Sequence, residues 1–336
     1  MARSKNNPKN AGPEAFSKYY LNMHGSRWSG LVDACRTGNR HFGLNGGLLK
    51  TYYLDPASVI ASLCLDIMPG QQVLDMCAAP GGKSLVIAQR LFGLVPAAPS
   101  LSDLGQLSST MSAEFEETGN ADQDTHLTSD NAPEDSPGTG YLVANELSAN
   151  RRGRLRQVLA EHLPAHCEAK IKTSGFDATA WGQYEQGRYD RVLLDVPCSS
   201  ERHLIQDPAY LTEWSPKRST QLAQQAYAMG LSAGRALKTN GILLYCTCAL
   251  SDLENDAVVS RIIERSSSQA GRFGYQLAAL GPVDLTSPAR QLADMANYNF
   301  EIENSVHGQR IWPDRCGGFG PLYFARLQKT NSNISD

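Results

Sequence analysis

Val73-Leu-Asp-Met-Cys-Ala-Ala-Pro-Gly-Gly-Lys-Ser84 is the stretch on which the reading of the whole chain turns. Val73 to Met76 form a short apolar run after the Pro69-Gly70 turn signal, as a buried strand does. Lys83 to Leu91 then carry apolar residues at helical spacing, so the loop between them joins a strand to a helix. In open α/β sheets that junction lies at the carboxyl ends of the strands, where glycines let a ligand approach the backbone N–H groups opening the helix. Gly82-Lys83-Ser84 also ends like a phosphate-cradling loop, but that pattern needs a glycine five positions before its second one, and Cys77 stands there. A plain turn requires fewer special residues than two glycines and a proline.

Composition sets the bounds. With 336 residues, 41% apolar and 19% charged, the chain has material for one large soluble domain or two small ones. No segment approaches the ~18 to 20 continuous apolar residues that span a bilayer, and the polar start lacks the apolar core of a secretory signal, so no membrane association and a place inside a cell are expected. The eight cysteines are scattered and none forms a Cys-x-x-Cys, which fits reduced thiols and no metal site. Nine of the 34 acidic residues fall in residues 93–140, which hold no Lys or Arg, so the rest carries 31 basic against 25 acidic residues, a net of +6. A positive body suits a polyanionic partner.

Later segments repeat the strand-then-helix rhythm. Tyr141 to Asn145 is a second strand ending in Glu146, where doubly wound folds hydrogen-bond a ribose. Ser148 to Leu159 reads as the following helix, with Arg151, Arg152, Arg154 and Arg156 on it. Ala169 to Ser174 is a third strand, followed by Asp177, which is placed either to accept from an adenine amino group or to cap the turn at Ala178. Arg191 to Val196 delivers Asp195-Val-Pro-Cys198-Ser-Ser, and Ile242 to Thr247 delivers Cys246-Thr-Cys248. Parallel neighbours bring their carboxyl ends together, so Cys198 and Cys248 are expected to face one crevice, with Cys246 deeper in the core.

The run Asp75-Met-Cys-Ala-Ala-Pro-Gly-Gly-Lys-Ser84, with Pro197-Cys198 and Thr247-Cys248, is similar to motifs of the Sun-domain (Fmu-type) RNA cytosine-5 methyltransferases. The resemblance runs closest to short mitochondrial-type members and bacterial relatives. It implies an α/β fold, a Rossmann-like class I methyltransferase domain with a mostly parallel twisted sheet, helices on both faces and an antiparallel C-terminal hairpin. It implies S-adenosylmethionine as cofactor, held by Cys77, Ala78, Ala79, Pro80, Gly81, Gly82, Lys83, Glu146, Arg151, Asp177 and Asp195. It implies Cys248 as nucleophile, Cys198 as the thiol assisting release, and Asp195 at the base. The substrate expected is RNA, ribosomal before transfer RNA, with a protein partner as one route to target selection. A bacterial chain of this kind is expected in the cytoplasm and a eukaryotic one in the mitochondrion. Two rivals stand beside this reading. A noncatalytic RNA-binding assembly factor keeps the fold, and a DNA methyltransferase uses Cys198 alone as nucleophile.

The expected organisation is a disordered start over residues 1–15, a helical extension over 16–68, and a methyltransferase domain over 69–328. A disordered acidic insertion at 93–140 interrupts that domain, and a disordered tail spans 329–336. Phe16, Tyr19, Tyr20, Trp28 and Leu31, interleaved with Lys18, are read as core more than as stacking platforms for RNA, with Arg27, Arg36 and Arg40 as the RNA-facing candidates. Asp55-Pro56 opens a helix, Arg202-His203 and Lys217-Arg218 are candidate phosphate contacts, and Ser251-Asp-Leu-Glu254 matches a capping box.

Overall fold

A computed structural model describes residues 11–37, 41–95, 140–283 and 301–331. Arg40, most of the acidic insertion, residues 1–10 and residues 332–336 lie outside the described residues. The nine-stranded sheet has five parallel strands in the order β5 (Ile171–Ser174), β4 (Tyr141–Asn145), β3 (Gln72–Asp75), β6 (Tyr189–Asp195) and β7 (Leu237–Thr247). Beyond β7 the sheet turns antiparallel through β11 (Leu322–Asn331), which pairs with β7, β8 (Tyr275–Ala279) and β10 (Gln309–Ile311), and β10 pairs with β9 (Ile302–Asn304). The order reverses between β3 and β6. That switch point is where open α/β sheets place their ligand crevice.

Burial on both faces explains the near-continuous apolar strands. In β7, Ile242, Leu244 and Cys246 pack on one face of the sheet and Leu243 and Tyr245 on the other, the alternation that a two-residue strand period requires. Cys246 is therefore core, as expected. Helix α4 (Gly82–Leu91) follows β3, α5 (Ala149–His162) follows β4, and α8 (Pro216–Ala236) precedes β7. Ser148 caps α5 by accepting from Arg151 N.

The amino-terminal elements form their own aromatic core. Helices α1 (Pro13–His24) and α2 (Trp28–Arg36) bury Phe16, Tyr20, Trp28 and Leu31 against Ile205, Trp214 and Trp312, and Phe16 meets Trp214 edge-on at 5.2 Å. The core reading of these aromatics holds. Lys18 and Arg36 are exposed, whereas Arg27 is spent on Asp314 and Glu303. Asp55 caps α3 (Pro56–Leu63) by accepting from Ala57 N at 2.8 Å, as its sequence predicts.

Several local expectations differ from the structure. A hairpin of β1 (Phe42–Leu44) and β2 (Tyr52–Leu54) precedes α3, and the final strand runs to Asn331, past the boundary set at 328. The Ser251–Glu254 capping box does not form. Helix α9 starts at Asp256, and the Glu254 carboxyl instead accepts from Ser199 N and lies 2.6 Å from Ser199 Oγ. Arg202 is not available for phosphate, because it is buried and donates to the carbonyls of Gly318, Gly320 and Thr37.

Candidate active site

The loop after β3 and the start of α4 line a cavity of about 160 Å³ together with Tyr52, Leu54, Ser58, Asp75 and Asp195. Cys77, Ala78, Ala79, Pro80, Gly82 and Lys83 all border it. Gly81 has φ 123°, and a Cβ there would lie 2.9 Å from Val158 Cγ1; a Cβ on Gly82 would lie 2.9 Å from the Tyr52 ring. Both glycines are thus needed for the loop to pass between its neighbours. Gly81→Ala is expected to destabilise the protein by about 1–3 kcal/mol, the scale of a residue forced into such a conformation. Urea unfolding measures it, and a change within error would show that the loop relaxes freely.

Charged groups surround the cavity in fixed pairs. Lys83 Nζ donates to Asp195 Oδ2 at 2.8 Å and to Ser58 Oγ at 3.1 Å. Burial opposes the ammonium charge, but the Asp195 carboxylate outweighs it and holds the Lys83 pKa above its ordinary value. Lys83 is therefore a partner of the site and not a solvated helix-start lysine. Glu146 is buried; one oxygen accepts from Ser148 N at 2.9 Å and the other lies 3.3 Å from Arg151 Nη1. Arg151 Nη2 also donates to Ala79 O at 2.9 Å, which ties the end of β4 to the loop after β3. Asp177 is exposed, and its Oδ1 accepts from Thr179 N and Oγ1, the turn-capping arrangement. Asp75 Oδ2 accepts from Ser84 Oγ at 2.7 Å, while its buried Oδ1 has no hydrogen-bond partner.

The expected cofactor, S-adenosylmethionine, fits this arrangement on three counts. The two glycines keep the loop free of side chains, Glu146 stands at the end of the second parallel strand, and Asp75 offers an orphaned acceptor at the cavity.

The two cysteines meet each other just past the ends of β6 and β7, outside the lining of the cavity. Asp195 is in register with Cys246 across β6 and β7, so the chain segments leaving both strands run side by side. Cys198 Sγ and Cys248 Sγ are 2.9 Å apart. Ser200, a non-glycine residue with φ 52°, brings its hydroxyl to 3.6 Å from Cys198 Sγ and 3.5 Å from Cys248 Sγ. The Cys248 pKa is lowered, first by the hydrogen bond from Cys198 and then by that from Ser200, against the opposing effect of burial. Cys198 is pushed the other way, by the same sulfur contact and by burial, so it keeps the proton it donates. Thr247 Oγ1 donates to Asn255 Oδ1 at 2.7 Å, and Asn255 Nδ2 donates to Ala249 O at 3.0 Å, which pins the chain on both sides of Cys248.

The sequence reading missed Tyr52 and Ser58. The signal for the first was present: Asn45-Gly46-Gly47 stands between two short runs rich in aromatic and apolar residues, a hairpin pattern. Ser58 had none, because its role depends on Lys83 arriving from 25 residues away.

Fold and crevice define a Rossmann-like methyltransferase domain. Residues 134–280 match the family described as 16S rRNA methyltransferase RsmB/F, in line with the Sun-domain resemblance of the sequence motifs. It is 30% identical over 285 residues to the 5-cytosine rRNA methyltransferase NSUN4 of Xenopus laevis, covering 84% of this chain and 57% of that protein. It is 27% identical over 285 residues to a mitochondrial tRNA (cytosine(34)-C(5))-methyltransferase of Mus musculus, covering 84% of this chain and 65% of that one. The chain therefore spans less than two thirds of the length of these relatives. A methyltransferase homolog from Pyrococcus horikoshii shares the fold, with a TM-score of 0.56 at 16% identity over 94% of this chain and 95% of that one.

Proposed function

We propose that this protein transfers a methyl group from S-adenosylmethionine to C5 of a cytosine in RNA, ribosomal RNA in the first instance. The observation carrying this reading is the pair of thiols 2.9 Å apart beside the cavity at the ends of two adjacent parallel strands. Cytosine C5 is a poor nucleophile. A thiolate adding to C6 makes C5 electron-rich, which splits one difficult step into two.

In this proposal the residues around Cys77–Lys83, with Glu146, Arg151, Asp177 and Asp195, hold the cofactor, which supplies an electrophilic methyl when bound. Cys248 is the nucleophile, because its hydrogen bonds from Cys198 and Ser200 favour the thiolate. Its sulfur forms a bond to C6, and the electron pair displaced from the C5–C6 bond serves C5. Asp195 holds Lys83 Nζ, and the ammonium of this pair offsets the negative charge that develops at the cytosine N3/N4 edge. After transfer, a water molecule takes the C5 proton, the C5–H electron pair restores the C5–C6 double bond, and the C6–S bond breaks with its pair returning to the Cys248 sulfur. Cys198 keeps its proton beside the leaving sulfur and assists that release. Lys217 and Arg218, exposed at the start of α8, remain candidate phosphate contacts.

The test is incubation of the full chain with labelled S-adenosylmethionine and total RNA from cells lacking it. The expected product is 5-methylcytosine, and the labelled species names the substrate, ribosomal or transfer RNA. RNA binding without any methyl transfer, with candidate partners added, would replace this reading with the assembly-factor one.

A further inference from the structure

Behind the two thiols lies a pair of buried carboxyls that the reaction above leaves unused. Glu201 is 0% exposed and Glu254 is 1% exposed, and no metal-ligating cluster forms there among the described residues. Ser199 bridges them. Its Oγ contacts Glu201 Oε1 on one side and lies 2.6 Å from Glu254 Oε1 on the other. Tyr20 OH, arriving from α1 across 181 residues, contacts the same Glu201 Oε1. The remaining carboxyl oxygens accept from the backbone: Glu254 Oε2 from Ser199 N at 2.9 Å, and Glu201 Oε2 from Leu250 N at 3.0 Å.

Counting hydrogens decides the state of this cluster. There are three oxygen–oxygen contacts, Tyr20 to Glu201, Ser199 to Glu201 and Ser199 to Glu254. Each needs one hydrogen. The two hydroxyls supply two, and an ionised carboxylate supplies none, so the third must sit on a carboxylic acid. We propose that Glu201 and Glu254 hold one proton between them through Ser199, and that this pair, closed by Tyr20, positions the loops carrying Cys198 and Cys248 for reaction. The backbone contacts make the link direct, since Ser199 follows Cys198 and Leu250 lies two residues after Cys248. Glu254 is the member that carries the proton. Burial, and then the charge of Glu201, push its carboxyl up to about 7.

The groups facing Glu254 are Glu201 from the helix after Cys198, Tyr20 from α1, the Ser219 hydroxyl from α8, and Tyr245 from β7, whose OH donates to Glu254 O. Cys198 and Cys248 lie in front of the pair. When Glu254 ionises, one oxygen contact loses its hydrogen and two like charges face each other across Ser199. The two loops then part, and Cys248 loses the hydrogen bond that favours its thiolate. Glu201, Glu254 and Tyr20 are positioning residues, acting through the thiols. Their catalytic consequence rests on the proposed methyl transfer, but the proton itself does not.

The experiment is infrared difference spectroscopy of the full chain across pH, with Cys248 alkylation by iodoacetamide followed in parallel. At about pH 6, where exposed carboxyls are ionised, a carboxylic-acid carbonyl band is expected that disappears in Glu254→Gln and remains in Asp75→Asn. Tyr20→Phe removes a hydrogen bond to Glu201, makes the pair bind its proton more tightly and moves the midpoint of that band to higher pH. Ser199→Ala, which breaks the bridge and leaves both carboxyls in place, is expected to slow Cys248 alkylation roughly tenfold at the same pH, the effect of raising a thiol pKa by about one unit. Absence of the Glu254-dependent band, or a midpoint unmoved by Tyr20→Phe, overturns the proposal and leaves the cluster as packing. Failure to find methyl transfer with both spectroscopic results in place removes only the enzymatic reading.

Discussion

Cys248→Ala is expected to abolish both methyl transfer and the covalent protein–RNA adduct, whereas Cys198→Ala forms the adduct and fails to release it. Loss of a covalent nucleophile costs more than about four orders of magnitude in enzymes where it has been measured, so product from Cys248→Ala should fall below detection. The asymmetry follows from the hydrogen bond between the two sulfurs, 2.9 Å apart. In the proposed roles Cys198 donates and Cys248 accepts, and the two thiols shift in opposite directions. Removing Cys198 also removes the first cause of the lowered Cys248 pKa. Adduct formation by Cys198→Ala should therefore need a higher pH than in the wild type, and denaturing gels of labelled RNA taken across pH read both effects. If Cys198→Ala is the variant that forms no adduct, the roles are reversed and the DNA-methyltransferase pattern applies.

Much of this site was legible because it is built from local sequence. The strand–loop–helix over residues 73–91 and the strand at Tyr141–Asn145 show their apolar spacing and turn residues directly, and the structure places them there. Cys246 and Cys248 share one face by strand alternation and separate by depth, Cys246 inside β7 and Cys248 just past its end. What stayed hidden depends on contacts between distant segments. Arg202 reads as a free basic residue until the carbonyls of Thr37, Gly318 and Gly320 converge on it. Glu254 reads locally as a helix-capping acid because Ser251 stands three residues earlier, and only the family resemblance sets Glu254-Asn255 beside the catalytic loop; its carboxyl reaches Ser199, 55 residues back, and the helix starts without it. Tyr20 was correctly read as core, yet nothing near it in sequence announces the carboxyl its hydroxyl meets. Local patterns report periodicity and turns; they carry no information about which buried polar group finds which partner.

Stability should fall as the pH rises from about 5 to 7.5, opposite to the usual behaviour of a protein rich in paired carboxylates. Burial pushes the Asp75 carboxyl up to about 7, and burial with the Glu201 charge does the same for Glu254. In the unfolded chain these groups titrate near about 3.9 and 4.3. Between those values and 7 the folded state binds up to two more protons than the unfolded state, so unfolding becomes easier with each added unit of pH. Each group contributes up to roughly 1.4 kcal/mol per pH unit within its window, and the combined loss is on the order of several kcal/mol. His24, whose pKa burial lowers, offsets at most one of these protons below about 6.5; Asp256 does not cancel the loss. Burial opposes its charge, but hydrogen bonds from His307 N, Tyr323 and Ser305 and the Arg310 charge hold it below the ordinary value. Its contribution is lost only as the pH falls below the ordinary aspartate range. Urea unfolding at the two ends of the range measures the difference, with Asp75→Asn and Glu254→Gln each expected to remove about half of it and the double variant to flatten it. Stability that rises over the same range would place both protons elsewhere. Because Glu254 belongs to the pair behind the thiols, its share of the stability change and the opening of the Cys198–Cys248 contact should have one midpoint. Asp75→Asn should leave that midpoint where it is.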